Sequence, residues 1–137
     1  IWQLVRRRDV RKVDVDILLL GIYYGIVIAC YLLFEMVPVN FRPVLIEGRL
    51  EASYPSSTTL LVLSVMPTLA FQAERRMKNA DIKKGICFLT NIFSVFMVVG
   101  RLISGVHWVT DIIGALIFSR GLFCLYKAAV LRYCEKK

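Results

Sequence analysis

The sequence predicts an all-α fold, a multi-span transmembrane helix bundle, and three observations lead to that prediction. The 137 residues are 58% hydrophobic with a mean hydropathy of +0.64, which is too apolar for an ordinary soluble domain. The apolar residues are concentrated in four blocks, and the basic residues gather on alternate connections between them. A chain of this length is predicted to form one domain over residues 1–137, and its composition excludes intrinsic disorder and a disulfide-stapled scaffold.

The first block is free of charge from Ile17 to Phe34, and its eighteen residues would span roughly 27 Å as a helix, close to the thickness of a bilayer core. We therefore predict a transmembrane helix at 17–34. The second span is predicted at about 58–72 and contains Pro67, a residue that membrane helices tolerate. The third span is predicted at 85–100 and the fourth at about 106–130. The fourth block is interrupted by Asp111, Arg120 and Lys127.

The basic residues predict the orientation of these spans. Fourteen of the eighteen Lys and Arg residues precede the first block, separate the second from the third, or lie from Lys127 onwards at the end of the fourth. The positive-inside rule then places the N-terminus, the 73–84 loop and the C-terminus in the cytoplasm, and the 35–57 and 100–106 segments outside. We expect an integral membrane protein, most naturally of a bacterial plasma membrane. Nucleic acid is not expected as a partner, because no aromatic residues are interleaved with the basic runs.

Three residues just before and within the start of the last block could carry chemistry. Arg101 is followed by His107, the single histidine of the chain, and then by Asp111. The i, i+4 spacing places His107 and Asp111 on one helical face if the helix has begun by then. A carboxylate beside an imidazole fixes its tautomer, which a nucleophilic histidine requires. The alternative is an interfacial histidine with a carboxylate that caps the helix.

The other outside loop contains Arg42, followed by a hydroxyl-rich run from Ser53 to Thr59 immediately before the second block. Such a run is typical of a helix start whose free N–H groups can bind an anion such as phosphate. A plain Ser/Thr cap is the alternative. Because the charge pattern places both loops on one side of the membrane, we predict that they converge into a phosphate site with a nucleophile.

At this point the sequence resembles a known family. Residues 100–111 read GRLISGVHWVTD, similar to the third signature of the type 2 phosphatidic acid phosphatases, S-R-x5-H-x3-D, in all but the first position, Gly100. These enzymes are related to the vanadium-dependent haloperoxidases. Tyr54-Pro55-Ser56-Ser57-Thr58 resembles the second signature, P-S-G-H, and Arg42-Pro43 resembles the end of the first, K-x6-R-P. The family fold is a six-helix membrane bundle, which implies that four of six spans lie in this chain.

The resemblance also implies roles for individual residues. His107 would be the nucleophile that forms a phosphohistidine, and Asp111 would orient it. The phosphate would be held by Arg101, Arg42, Ser56, the Ser57 backbone and the residue at Thr58. A histidine nucleophile with arginine clamps implies neither a metal nor an organic cofactor.

Two residues depart from the family pattern. The lysine of the first signature falls on Glu35, and the histidine of the second signature, a general acid, falls on Thr58. Loss of a general acid costs typically 10²–10⁴ in rate. A phosphate monoester that leaves from a diphosphate needs protonation less than an alkoxide does, because its second pKa is about 6. Thr58 therefore favours a lipid diphosphate, such as a polyprenyl diphosphate, over phosphatidic acid.

Three functions follow as hypotheses. The first is a membrane phosphatase that hydrolyses a lipid phosphate or diphosphate at the outer face. The second is a non-catalytic relative that binds such headgroups without turnover, which Glu35 and Thr58 favour. The third is an unrelated membrane scaffold or transport component. The expected partners are the phosphorylated lipid and the surrounding membrane lipids, and the sequence does not indicate an oligomeric state.

Overall fold

The computed structural model describes residues 15–134 and confirms the predicted all-α class. Four helices follow one another: α1 (Val15–Met36), α2 (Ser57–Arg76), α3 (Ala80–Ile103) and α4 (Val109–Cys134). Between residues 15 and 134 there is no β-strand, and only two isolated β-bridges form, both in the connection from α1 to α2. The helices extend the predicted segments at both ends, except that α4 begins later than predicted, at Val109.

Three of the four helices, α1, α3 and α4, are long and apolar enough to cross a membrane. The less apolar α2 packs against each of them, so its polar side chains can be bonded inside the bundle. Thr68 illustrates this, since its hydroxyl lies 2.7 Å from Tyr24 Oη and donates to the carbonyl of Val65 at 2.7 Å. Because α2 lies at the centre of the bundle, it needs less apolar surface than the helices around it.

The apolar core lies between α1, α2 and α4, towards the end of the bundle that holds the chain's described termini. It is formed by buried Tyr23, Val27, Phe71, Tyr126 and Val130. Polar contacts close this end: Arg76 of α2 donates to both carboxylate oxygens of Asp16 of α1, at 2.7 and 2.8 Å. This ion pair holds α1 and α2 together at the end opposite the α1–α2 and α3–α4 connections.

The connection from α1 to α2 folds as an irregular hairpin. Phe41 pairs with Ala52, and the tip residues Glu47 and Gly48 have φ angles of 50° and 75°, as in hairpin turns with two left-handed residues. The Trp108 indole donates to the carbonyl of Phe41 at 2.9 Å. This bond fixes the hairpin against the short α3–α4 connection, so the two loops that were predicted to converge do meet.

The α3–α4 connection reverses the chain in a few residues. Gly105 has a φ of 66°, a conformation that favours glycine. At the start of α4, Asp111 Oδ2 accepts a hydrogen bond from the backbone N–H of Trp108 at 2.9 Å. In a capping box the side chain of the third helical residue makes the same bond to the N-cap residue. His107 therefore precedes the helix, and the capping turn, rather than a shared helical face, brings its ring to Asp111.

Candidate active site

His107 is the centre of the candidate site, and only 6% of its surface is exposed. Its Nε2 lies 2.8 Å from Arg101 Nη2. Its Nδ1 lies 3.1 Å from the carbonyl oxygen of Ser53 and 3.6 Å from Asp111 Oδ2. Because a guanidinium can only donate, Nε2 accepts from Arg101, and the ring proton is assigned to Nδ1. The arrangement leaves the lone pair of the imidazole at Nε2, on the arginine side.

Asp111 is fully buried behind the imidazole. The same oxygen, Oδ2, that caps α4 also accepts a hydrogen bond from the hydroxyl of Ser53. Asp111 can thus cap the helix and orient His107 at the same time. A negative charge held next to Nδ1 stabilises the ring orientation and any positive charge that develops on it.

The surroundings of His107 keep its imidazole neutral. Burial lowers the pKa of His107, and the positive charges of Arg42 and Arg101 lower it further, while Asp111 and the Ser53 carbonyl act in the opposite direction. The ordinary pKa of histidine is about 6.5. At pH 7 the ring is therefore uncharged, which is the protonation state of a nucleophile.

Arg42 lies on the hairpin, where Glu51 holds it from the opposite arm. The Arg42 amide donates to the Glu51 carbonyl at 3.1 Å, and Arg42 Nε lies 3.2 Å from Glu51 Oε2. That ion pair lacks the alignment of a hydrogen bond. Buried Arg42 Nε therefore has no hydrogen-bond partner between residues 15 and 134, and the same is true of Arg101 Nε. Two buried guanidinium donors near one imidazole are suited to an oxyanion.

A cavity of about 590 Å³ opens beside these groups, between the end of α1 and the hairpin. Its polar lining side chains include Glu35, Arg42, Arg49, Ser53, Ser57 and His107. Glu35 thus faces the same space as His107. The side chains that line the cavity include both carboxylates and guanidinium groups, so the space beside the imidazole is polar.

The hydroxyl residues at the start of α2 do not all reach this cavity. Ser57 lines it. Ser56 is fully buried, with its hydroxyl 3.0 Å from Thr59 Oγ1 and its amide donating to the Asp111 carbonyl at 3.1 Å. Thr58 lines a separate, smaller cavity between α1 and α2. The structure therefore gathers Arg42, Arg101, His107 and Asp111, and it places Thr58 on an adjoining face of α2.

Sequence reasoning missed three residues of the site. Ser53 was interpreted only as part of a hydroxyl-rich helix start, although it bonds to both His107 and Asp111. Glu51 and Arg49 were not singled out. No local pattern of residue types distinguishes these three positions, because their place in the site depends on contacts between distant parts of the chain. The single available signal was the position of Ser53 just before Tyr54-Pro55-Ser56.

No group of three or more His, Cys, Asp or Glu side chains in the part of the chain described here is arranged to hold a metal ion. The groups available for an anionic ligand are the arginines and the Ser57 region. The arrangement can thus offer a neutral imidazole and two guanidinium groups to a phosphate.

Comparison with known proteins agrees with this chemistry. A family described as the PAP2 superfamily matches residues 36–133. This range includes the seven predicted site residues, namely Arg42, Ser56, Ser57, Thr58, Arg101, His107 and Asp111. Glu35 lies just before it. No individual curated protein and no solved structure gives a significant match.

Proposed function

Because the chain belongs to the PAP2 superfamily, we propose that it is an integral membrane phosphatase in which His107 is the nucleophile. The superfamily generally hydrolyses phosphate esters and acts on phosphorylated, lipid-like substrates. Three helices long and apolar enough to cross a membrane fit this activity. The proposed substrate is a lipid phosphate or diphosphate.

The contact between His107 Nε2 and Arg101 carries the proposal. The 2.8 Å separation places the reactive lone pair next to a phosphate-binding group, while Nδ1 is held from behind by Ser53 and Asp111. A phosphate is a better acceptor for the guanidinium than a neutral imidazole is. Its oxygens would draw the donors of Arg101 and Arg42, and the phosphorus would then lie next to Nε2.

Two displacements complete the proposed reaction. In the first, the Nε2 lone pair forms a bond to phosphorus, and the bond from phosphorus to the leaving oxygen breaks with its electron pair on that oxygen. Asp111 stabilises the positive charge on the phosphorylated ring. In the second, water attacks phosphorus, the N–P bond breaks, and inorganic phosphate and neutral His107 are released after water loses its proton.

The leaving group decides which substrate suits this site. Thr58 cannot act as a general acid, and it lines a different cavity from His107. A leaving phosphate monoester needs little protonation, whereas an alkoxide needs it strongly. We therefore favour a lipid diphosphate, such as a polyprenyl diphosphate, over phosphatidic acid. Faster hydrolysis of monoester lipids than of diphosphates would contradict this preference.

The proposed face of action is the extracytoplasmic one, with both termini in the cytoplasm. The charge distribution supports it, because the two loops that form the site carry few basic residues while the other connections carry most of them. Single cysteines placed at Glu47 and at Lys78 would test the orientation. A membrane-impermeant thiol reagent applied to intact cells should label the first and not the second, and the reverse pattern would overturn the assignment.

Phosphate release from a polyprenyl diphosphate by the detergent-solubilised full-length protein tests the activity, with His107→Ala as the control. Release is expected from the wild type, and its loss in His107→Ala would show that the histidine is required. Equal release from both proteins would exclude His107 as the nucleophile.

A non-catalytic phosphate-lipid binder is the second candidate. Glu35 favours it, because a carboxylate in the wall of the His107 cavity disfavours a highly charged reaction centre. The absence of a histidine at Thr58 favours it as well. Binding of the diphosphate lipid without release of phosphate, measured on the same preparation, would establish this candidate instead of the phosphatase.

A further inference from the structure

Arg49 lines the same cavity as His107, yet the proposed reaction leaves it without a role. Between residues 15 and 134 its guanidinium forms no ion pair and no hydrogen bond. Arg42, the other arginine in the lining, lies against Glu51. Among the described side chains that line the cavity, Arg49 is therefore the cation that no carboxylate neutralises.

The hairpin holds the backbone of Arg49 at the base of its turn. The Arg49 amide donates to the carbonyl of Ile46 at 2.9 Å, and the Arg49 carbonyl accepts from the Ile46 amide at 3.0 Å. Arg49 and Glu51 are two residues apart on one arm, and both line the cavity. Two residues of extended chain span roughly 7 Å. Arg49 thus lies a short distance along the arm from the group that holds Arg42, within the reach of two long side chains.

The charges of the cavity wall indicate what Arg49 adds. The charged side chains of the lining are two carboxylates and two guanidinium groups, namely Glu35, Glu51, Arg42 and Arg49. Without Arg49 the carboxylates would outnumber the arginines of the lining, which would disfavour a multiply charged anion. A diphosphate has one phosphate more than a monoester, so it depends more strongly on this charge.

We propose that Arg49 binds the leaving phosphate of a diphosphate substrate. Arg42 and Arg101 then hold the other phosphate, which is transferred to His107. This assignment rests on the proposed function and adds a residue that selects diphosphates over monoesters. When the bond from the transferred phosphorus to the bridging oxygen breaks, its electron pair stays on that oxygen, which leaves with the lipid monophosphate. A guanidinium donor beside this oxygen stabilises the developing negative charge without proton transfer.

This role of Arg49 compensates for Thr58, which lines a different cavity and cannot act as a general acid. A departing phosphate needs little protonation, so a fixed positive charge is sufficient to stabilise it. A monoester places an alcohol oxygen without a phosphate next to Arg49 and gains no such contact. Arg49 therefore accelerates the reaction of diphosphates selectively.

Arg49→Gln tests the assignment in the full-length, detergent-solubilised protein. With octyl diphosphate, kcat/KM is expected to fall about 10- to 100-fold, the effect of losing a hydrogen bond to a charged group. With p-nitrophenyl phosphate, whose leaving group carries no phosphate, kcat/KM should stay unchanged. Equal changes with the two substrates, including no change with either, would overturn the proposal while leaving the phosphatase intact.

Arg132→Gln is the matched control. It makes the same substitution at an exposed arginine in the last turn of α4, which does not line the cavity. The ratio of kcat/KM for octyl diphosphate to that for p-nitrophenyl phosphate should equal the ratio of the wild type. A ratio lowered equally in Arg132→Gln and Arg49→Gln would show that net charge, rather than the position of Arg49, is responsible, and would overturn the proposal.

Binding to the His107→Ala protein separates Arg49 from catalysis. The two ligands are the octyl ester of methylenediphosphonate, whose bridging carbon resists hydrolysis, and octylphosphonate. The diphosphonate should bind about tenfold more tightly or better, and Arg49→Gln in that background should remove most of the difference. If the wild type releases no phosphate from any substrate, the proposed function fails, yet this binding difference would still support Arg49 as a diphosphate ligand. An absent preference, or one that Arg49→Gln leaves intact, would overturn the assignment whatever the activity.

Discussion

Ser53 forms hydrogen bonds with both His107 and Asp111. Its carbonyl oxygen lies 3.1 Å from His107 Nδ1, and its hydroxyl donates to Asp111 Oδ2. Only 1% of Ser53 is exposed, so both hydrogen bonds are shielded from bulk solvent. Ser53 therefore has the geometry of a positioning residue, which acts on the reaction through His107 rather than by contact with the substrate.

Ser53→Ala is expected to lower kcat about 10- to 100-fold with little change in KM. The substitution leaves the backbone carbonyl in place but removes a hydrogen bond to a carboxylate, worth about 1.5–3 kcal/mol. Phosphate release measured over a range of substrate concentrations would separate kcat from KM.

Ser119→Ala is the matched control for this prediction. Ser119 is 2% exposed and lies on α4, where its hydroxyl donates to a backbone carbonyl of its own helix. It should retain full activity. A loss of the same size in both variants would show that Ser53 acts on stability alone.

The lowered pKa of His107 predicts the acid limb of the pH profile. In the proposed reaction the neutral imidazole is the reactive form, so activity should persist as the pH falls until the pH reaches the pKa of His107 in the folded protein. Because burial and the two arginines lower that pKa, the acid limb of kcat/KM should lie below the ordinary value of about 6.5. An acid limb at or above that value would contradict the electrostatic description of the site.

At the scale of elements, α4 approaches the hairpin through a glycine. A Cβ built on Gly114 would lie 2.4 Å from Cε2 of Tyr54, inside the aromatic ring's contact distance. Tyr54 also packs edge-on against Phe34 of α1, with ring centroids 5.7 Å apart. Gly114 thereby allows Tyr54 to fit between α1 and α4, and Tyr54 follows Ser53 directly in the chain.

Gly114→Ala is expected to destabilise the protein by about 1–3 kcal/mol, the usual cost of overpacking, and to lower phosphate release by displacing Ser53. Gly121→Ala is the control on the same helix, since a Cβ there meets nothing within 4 Å. Thermal unfolding in detergent, together with activity, checks both variants. A Gly114→Ala protein as stable and as active as Gly121→Ala would show that Tyr54 does not position the site.

At the scale of the whole molecule, the bundle has two polar ends with different compositions. One end contains His107, Asp111 and the arginines of the site. The other contains the Asp16–Arg76 ion pair, extended by Arg76 Nε donating to Gln72 at 2.8 Å and Gln72 donating to Tyr126 Oη at 2.6 Å. This second network joins α1, α2 and α4 at the end of the bundle opposite His107, so its contribution should be to stability.

Asp16→Asn is expected to lower the free energy of unfolding by about 1.5–3 kcal/mol, because it removes the charge from a two-pronged hydrogen bond. The acid limb of kcat/KM should stay unchanged. Glu74→Gln removes an exposed carboxylate near the same end, where its contact is with Cys87 at 3.7 Å, and should have little effect on unfolding. A shift of the acid limb in Asp16→Asn would reveal coupling between the two ends.

The sequence by itself determined the all-α class, the presence of four helical segments and the spacing of Arg101, His107 and Asp111. A helix that faces lipid needs a dozen or more consecutive apolar residues, with basic residues beside it, so the local sequence is enough to identify it. The spacing from Arg101 to Asp111 is likewise local. Both features could therefore be read from the order of the residues alone.

The tertiary structure alone decided which polar groups meet. It placed α2 at the centre of the bundle, brought Ser53 to His107 across 54 positions of the chain, and set Glu51 against Arg42. It also turned Thr58 away from the cavity of His107, because helical rotation places successive residues of α2 on different faces. Contacts of this kind depend on how helices and loops pack, and no local pattern of residue types encodes that packing.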